Sequence, residues 1–159
     1  MKKLIMLCVF TVLLYSCKSQ SVTKSKVDNK VERMMKGDWT ISSVEFPGSD
    51  VMTVNSFEIA DSKCFEGSTW KFVSNNNKGE MMLNNVSASC PSFSSPITWF
   101  VNKEGQFVLK ILDAGVKAKK VRDGYVLDMG AVSENSFQLI DRVQIGGKST
   151  QVVYTFQKQ

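Results

Sequence analysis

From residue 39 onward the chain alternates apolar and polar side chains over short runs. Trp70/Phe72, Ile97/Trp99/Val101, Phe107/Leu109/Ile111, Tyr125/Leu127/Met129, Phe137/Leu139 and Val152/Tyr154/Phe156 each recur at every second position. That period places them on one face of a strand. The pattern predicts eight strands, at 39–46, 69–74, 80–84, 97–102, 106–112, 124–131, 136–144 and 150–157. Between them lie Asn75-Asn76-Asn77-Lys78-Gly79, Lys103-Glu104-Gly105, Arg122-Asp123-Gly124 and Ile145-Gly146-Gly147-Lys148, runs whose residues tolerate the positive φ of tight hairpin turns. Sequential strands joined in this way form an antiparallel meander. Eight such strands close well into a barrel, which also removes the exposed edges that promote aggregation. The expected fold is therefore all-β, an eight-stranded antiparallel up-and-down barrel. Residues 47–68 show no alternation and predict a long first loop with a short helical turn.

A different period precedes the barrel. Val27, Val31, Met34 and Met35 fall at i, i+4, i+7 and i+8, one face of a short helix, and Gly37 supplies its stop. Residues 18–26 are polar and read as a flexible spacer. At the start, Lys2 and Lys3 precede an apolar run from Leu4 to Tyr15, closed by Ser16 and Cys17. A basic segment, a short apolar segment and a small residue before the cut make a secretory signal. As a helix the apolar run reaches only about 18 Å, short of the ~30 Å bilayer core, which argues against a transmembrane anchor. Leu14-Tyr15-Ser16-Cys17 resembles the bacterial lipobox, in which the cysteine takes a diacylglycerol and becomes the mature N-terminus; Tyr15 departs from its preference for a small or aliphatic residue. The expected organisation is a signal peptide over 1–16, a lipidated Cys17 with a tether to residue 29, and one barrel domain over 30–159. An ordinary signal peptide cut near Ser16 is the alternative.

Of the four cysteines, Cys8 would leave with the signal and Cys17 would take lipid. Cys64 and Cys90 remain, both in polar, turn-like contexts and in a compartment that permits disulfides. They are expected to pair, the alternative being two separate buried thiols. The net charge of +5 is unevenly spread. From Lys18 to Lys36 there are six basic residues against Asp28 and Glu32, whereas from Gly37 onward twelve basic residues face thirteen acidic ones. The excess lies in the tether, where it suits anionic head groups. The folded part is close to neutral and lacks the aromatic-and-basic stripe of a single-strand platform, so nucleic acid is not an expected partner.

At this point the chain resembles a known family. A short helix followed by Gly37-Asp38-Trp39 is similar to the Gly-x-Trp opening of lipocalins. The extension Trp39-Thr40-Ile41-Ser42-Ser43-Val44, the order Cys64, Trp70-Lys71-Phe72, a glycine-containing turn and Cys90, and the ending Tyr154-Thr155-Phe156-Gln157-Lys158 resemble lipocalin-like domains of Bacteroidetes lipoproteins. The resemblance spans roughly residues 30–158, in short motifs. It implies a calycin-type barrel whose floor is closed by Trp39 beneath a basic side chain, here Lys158 in place of the usual arginine. Gly37 and Trp39 would then be structural. Barrels of this architecture carry unrelated functions, so the fold does not choose one.

The chemistry is narrow. The chain has no histidine, which removes histidine-based triads, imidazole bases and histidine metal ligands. Ser21-Val22-Thr23-Lys24 matches Ser-x-x-Lys but falls in the tether, where nothing would hold a catalytic geometry. Asp61 with Glu66, or Asp128 with Asp141, has the chemistry of a glycosidase pair, though isolated carboxylates at strand ends are ordinarily solvated. No enzyme, cofactor or metal is expected. The basic run Lys117, Lys119, Lys120 and Arg122 reads as a solvated hairpin rim or an anion contact at the barrel mouth. Inward-pointing aromatics either fill the barrel or line an apolar pocket. In the second case the lining would include Trp70, Phe72, Trp99, Phe107, Leu127 and Phe137, with Met81 and Met82 near the opening. Two functions stay open: a membrane-tethered barrel that binds or carries a small apolar ligand, and a filled barrel that uses its rim loops to bind another protein. Lys18 after Cys17 lacks an inner-membrane retention aspartate, and Ser19-Gln20 lacks an acidic surface-export run. The expected location is the cell envelope, on the periplasmic face of the outer membrane.

Overall fold

The computed structural model describes residues 29–48, 53–112 and 124–159. The signal segment, Cys17, the tether up to residue 28 and the basic run Lys117–Arg122 lie outside them. Helix α1 (Asn29–Met34) leads into β1 (Gly37–Glu45). A two-stranded hairpin, β2 (Asn55–Ser56) and β3 (Ala60–Asp61), and a 3-10 turn (Ser62–Phe65) come next. Then follow β4 (Thr69–Val73), β5 (Lys78–Leu83), β6 (Phe93–Val101), β7 (Phe107–Ile111), β8 (Tyr125–Val132), β9 (Ser136–Ile145) and β10 (Lys148–Lys158). The order β1-β10-β9-β8-β7-β6-β5-β4 closes on itself, with β1 paired to both β10 and β4. The eight-stranded antiparallel barrel with a short N-terminal helix expected from the sequence is thus the fold observed.

Each expected strand forms within a few residues of its place. The largest departure is β6, which starts at Phe93 and runs through Pro96. Proline is normally excluded from strand interiors because it lacks an N–H. Here the carbonyl of Pro96 accepts from Leu112 beyond the last β6–β7 pair, Ile97 with Ile111, so the missing donor falls where that ladder ends. Between β9 and β10, Gly146 and Gly147 both have positive φ (56° and 80°), the mirror-image turn that matches strand twist. Hairpin β2–β3 replaces part of the loop expected over 47–68; its strands are two residues each, too short to show a period.

Alternation decides the interior. Inward residues are buried along most of the barrel wall, and at one end α1 forms the floor. Six residues are too few for an independently stable helix, so contacts hold it. The buried Glu32 carboxylate accepts from the Val101 amide at 3.1 Å, and the Trp39 indole donates to the Met35 carbonyl at 2.7 Å. Lys158 Nζ lies 5.5 Å from the Trp39 ring centre, and the edge of Trp39 meets Phe137 at 4.7 Å. Gly37 makes the sharp helix-to-strand passage with φ 128°, and a Cβ there would rest 3.6 Å from Lys158 Cε.

Candidate ligand site at the mouth of the barrel

The six side chains expected to line a pocket do converge, but they pack on one another. Trp70, Phe72, Trp99, Phe107, Leu127 and Phe137 are 0–3% exposed. Phe72 meets Trp99 at 5.1 Å, Phe107 at 5.8 Å and Phe137 at 6.1 Å, and Phe137 stacks on Phe156 at 4.4 Å. Edge-to-face and offset geometries at these separations are the attractive ones. The lower half of the barrel is therefore filled by its own rings. Met81 is buried in that interior and Met82 is exposed on the outer wall, so neither sits at the opening.

The mouth, at the opposite end from α1, differs. Hairpin β2–β3 folds over it with Phe57 at its tip. Phe57 and Glu58 both adopt left-handed backbone (φ 54° and 56°), and the Ile59 amide donates to the Ser56 carbonyl at 3.0 Å. Such a turn favours Asn-Gly; phenylalanine and glutamate there cost roughly 1–2 kcal/mol each. The compensation is packing, because the Phe57 ring is buried against Phe65 (5.3 Å), Tyr125 (5.1 Å) and Tyr154 (5.5 Å).

Polar contacts fasten the hairpin. The Tyr125 hydroxyl donates to the Phe57 carbonyl at 2.8 Å, and Ser56 Oγ shares a 2.5 Å hydrogen bond with the Tyr154 hydroxyl. Asp61 accepts from the amides of Val54 (3.2 Å) and Lys63 (2.8 Å). Behind it, Glu66 accepts from the Val44 amide at 2.9 Å and pairs with Lys63 at 2.8 Å. Burial raises the Glu66 pKa, but the Lys63 ammonium and the Val44 amide outweigh it and hold the carboxyl below its ordinary range. The expected disulfide is present: Cys64 in the 3-10 turn joins Cys90 in the β5–β6 connection, with a Cα separation of 5.4 Å.

Under this lid, on the β7–β10 side, the inward residues Ile111, Tyr125, Asp141, Val143 and Ile145 are only half-buried. Asp141 stands among them by register: Phe137, Leu139 and Asp141 of β9 pair with Phe156, Tyr154 and Val152, all interior. Burial pushes the Asp141 pKa up, partly offset by a backbone hydrogen bond from Arg142. Burial likewise raises both phenols, helped at Tyr125 by Glu58 and Asp141, and at Tyr154 by Asp141 and Asp61.

Neither candidate acid–base pair survives this geometry. Asp128 faces outward and pairs with Arg142 at 2.6 Å, so the barrel wall separates it from Asp141. Asp61 and Glu66 are committed to backbone amides. A depression of about 690 Å³ on the outer wall, between Lys71, Glu80, Met82 and Pro96, is open to solvent and lacks convergent groups; the mouth holds the chemistry. Phe57 was not singled out in the sequence, and Asp141 was named there only as a candidate acid–base partner of Asp128. Asp141 carried a signal, since it follows Phe137 and Leu139 at the same two-residue spacing; Phe57 carried none.

No protein-family model and no curated protein sequence matches the chain. Among solved structures it is similar to bovine odorant-binding protein complexed with its natural ligand, with 9% identity over 86% of this chain and 77% of the other and a TM-score of 0.46. It is similar also to the odorant-binding protein from bovine nasal mucosa, with the same identity, coverage and TM-score of 0.46. A third is the complex of bovine odorant-binding protein with a selenium-containing odorant, 9% identical over 86% and 76% of the two chains with a TM-score of 0.45. The barrel itself is established by the closed strand register.

Proposed function

We propose that the protein is a lipid-anchored, lipocalin-like envelope barrel that binds one small, largely apolar molecule in the upper half of its interior. The observation that carries this reading is the contrast between the two halves: a solid aromatic base, and above it inward side chains left half-buried beneath a fastened hairpin. A small site above a packed floor is preorganised, because the rings below cannot collapse into it. Binding rather than catalysis is supported by the commitment of Asp61, Glu66 and Asp128 to structural partners.

The anchor rests on the sequence at Cys17. Asn29 follows it by twelve positions, a reach of about 40 Å when extended. Two measurements test the reading. Cys17→Ala should release the protein from membranes, and unchanged fractionation would remove the anchor. Native mass spectrometry of the oxidised protein should show one apolar adduct per chain.

The second reading is a filled interaction module. It is favoured by the packed lower barrel and by the disulfide that clamps the lid. A bare mass, with no thermal shift from any apolar probe, would support it.

A further inference from the structure

We propose that the ligand carries a protonated amine, held by Asp141 against the Phe57–Tyr125–Tyr154 cluster, with its hydrocarbon portion against the apolar upper wall. This inference rests on the carrier reading above and specifies its ligand. Asp141 points into the barrel, yet among the described residues it has no cationic partner. The adjacent Arg142 is turned through the wall to Asp128, at 2.6 Å. A carboxylate drawn partly out of water without a counter-ion is unfavourable, and a well-packed apolar residue would serve stability better. A ligand cation reverses that balance.

The surroundings fit the same chemistry. Phe57, Tyr125 and Tyr154 form one aromatic cluster, and aromatic rings attract alkylammonium groups. Burial favours the neutral form of both phenols, so they add no competing charge. Glu58 bears on Tyr125, and Asp61 on Tyr154, so two further carboxylates surround the same end. A fatty-acid carboxylate would meet like charge there. A neutral alcohol would gain a hydrogen bond to the carboxylate but not the ion pair. In the sequence, the connection from β7 to β8 holds Lys117, Lys119, Lys120 and Arg122, basic groups with the opposite ligand preference.

Octylamine, octanol and octanoate, matched in chain length and monomeric at titration concentrations, separate these possibilities by calorimetry at pH 7 on the oxidised full chain carrying Cys17→Ala. Octylamine should bind roughly ten- to a hundredfold more tightly than octanol, with octanoate weakest. Asp141→Asn should remove most of the octylamine preference while changing octanol affinity far less, and an unchanged far-ultraviolet circular-dichroism spectrum reports an intact fold. Equal affinities for amine and alcohol, or an amine preference that persists in Asp141→Asn, would overturn the amine assignment and leave the carrier reading standing. Tightest binding of octanoate would overturn it in favour of the basic connection. If none of the three binds, the carrier reading fails and the amine assignment with it.

Discussion

The Tyr125 hydroxyl donates to the Phe57 carbonyl across 2.8 Å, tying strand β8 to the tip of the hairpin that covers the barrel mouth. The bond spans 68 residues of sequence and holds a turn whose backbone is strained at both central positions. A latch that holds a strained element is suited to release it.

Tyr125→Phe removes this latch and keeps the ring. The loss should be about 1 kcal/mol, localised to the lid. Amide hydrogen exchange should quicken over residues 53–61 while the β9–β10 ladder keeps its protection. Uniform protection in wild type and variant would show that the hydroxyl does not govern the lid.

Glu58→Gly relieves one of the two left-handed residues. After the entropy cost of glycine, the net gain should be up to about 1 kcal/mol, read as a higher urea midpoint with an unchanged slope. A lower midpoint would mean that the Glu58 side chain contributes more than its backbone costs.

The Cys64–Cys90 bond has a sequence separation of 26 residues. Replacing both by serine should cost roughly 3 kcal/mol by the loop-entropy argument. Because the bond joins the lid to the β5–β6 connection, the variant should also lose lid protection before global unfolding. Equal midpoints for oxidised wild type and the double variant would contradict this.

Asp141 makes stability depend on pH in a defined direction. Its folded pKa lies above the ordinary value of about 3.9, so the folded state holds the proton more tightly than the unfolded chain. Its contribution favours folding below that ordinary value and is lost as pH rises through the raised one. Asp141→Asn removes this slope, and the variant should be the more stable protein at pH 7 without ligand. The difference between the two urea-unfolding curves from pH 3.5 to 7 isolates the effect, since Glu66, shifted the opposite way, contributes equally to both. A difference that does not change with pH would exclude it.

Phe72 touches Trp70, Trp99, Phe107, Phe137 and Phe156. Phe72→Ala should cost about 3–5 kcal/mol, because its rigid neighbours cannot close the void. The solvent-facing Met82→Ala should stay within about 0.5 kcal/mol. Similar losses for both would mean that the lower barrel is not the packed core described.

The barrel was legible because the two-residue period of a strand is a local property. Phe107/Leu109, Phe137/Leu139 and Tyr154/Phe156 declare an inner face wherever they lie, and glycine or asparagine pairs between them declare antiparallel neighbours. The hairpin of residues 55–61 escaped notice for the converse reason. Its strands are two residues long, and its turn uses Phe57 and Glu58 against their own backbone preference. Such a turn forms only where packing on Tyr125 and Tyr154 outweighs the strain, and those partners are about 70 and 100 residues distant.

By itself, then, the sequence determined the strands, their inward faces and the exclusion of histidine chemistry, since each depends on residue type and nearest neighbours along the chain. Tertiary structure alone decided whether those inward faces enclose space. Alternation states that Trp70, Phe72, Trp99 and Phe107 point inward, but only closure of the barrel sets how far apart facing walls lie, and at this diameter the rings meet and fill the base. The same closure turned Asp141 into the barrel and put Asp128 on the far side of the wall, because a charge finds its neighbours across the sheet and not along the chain.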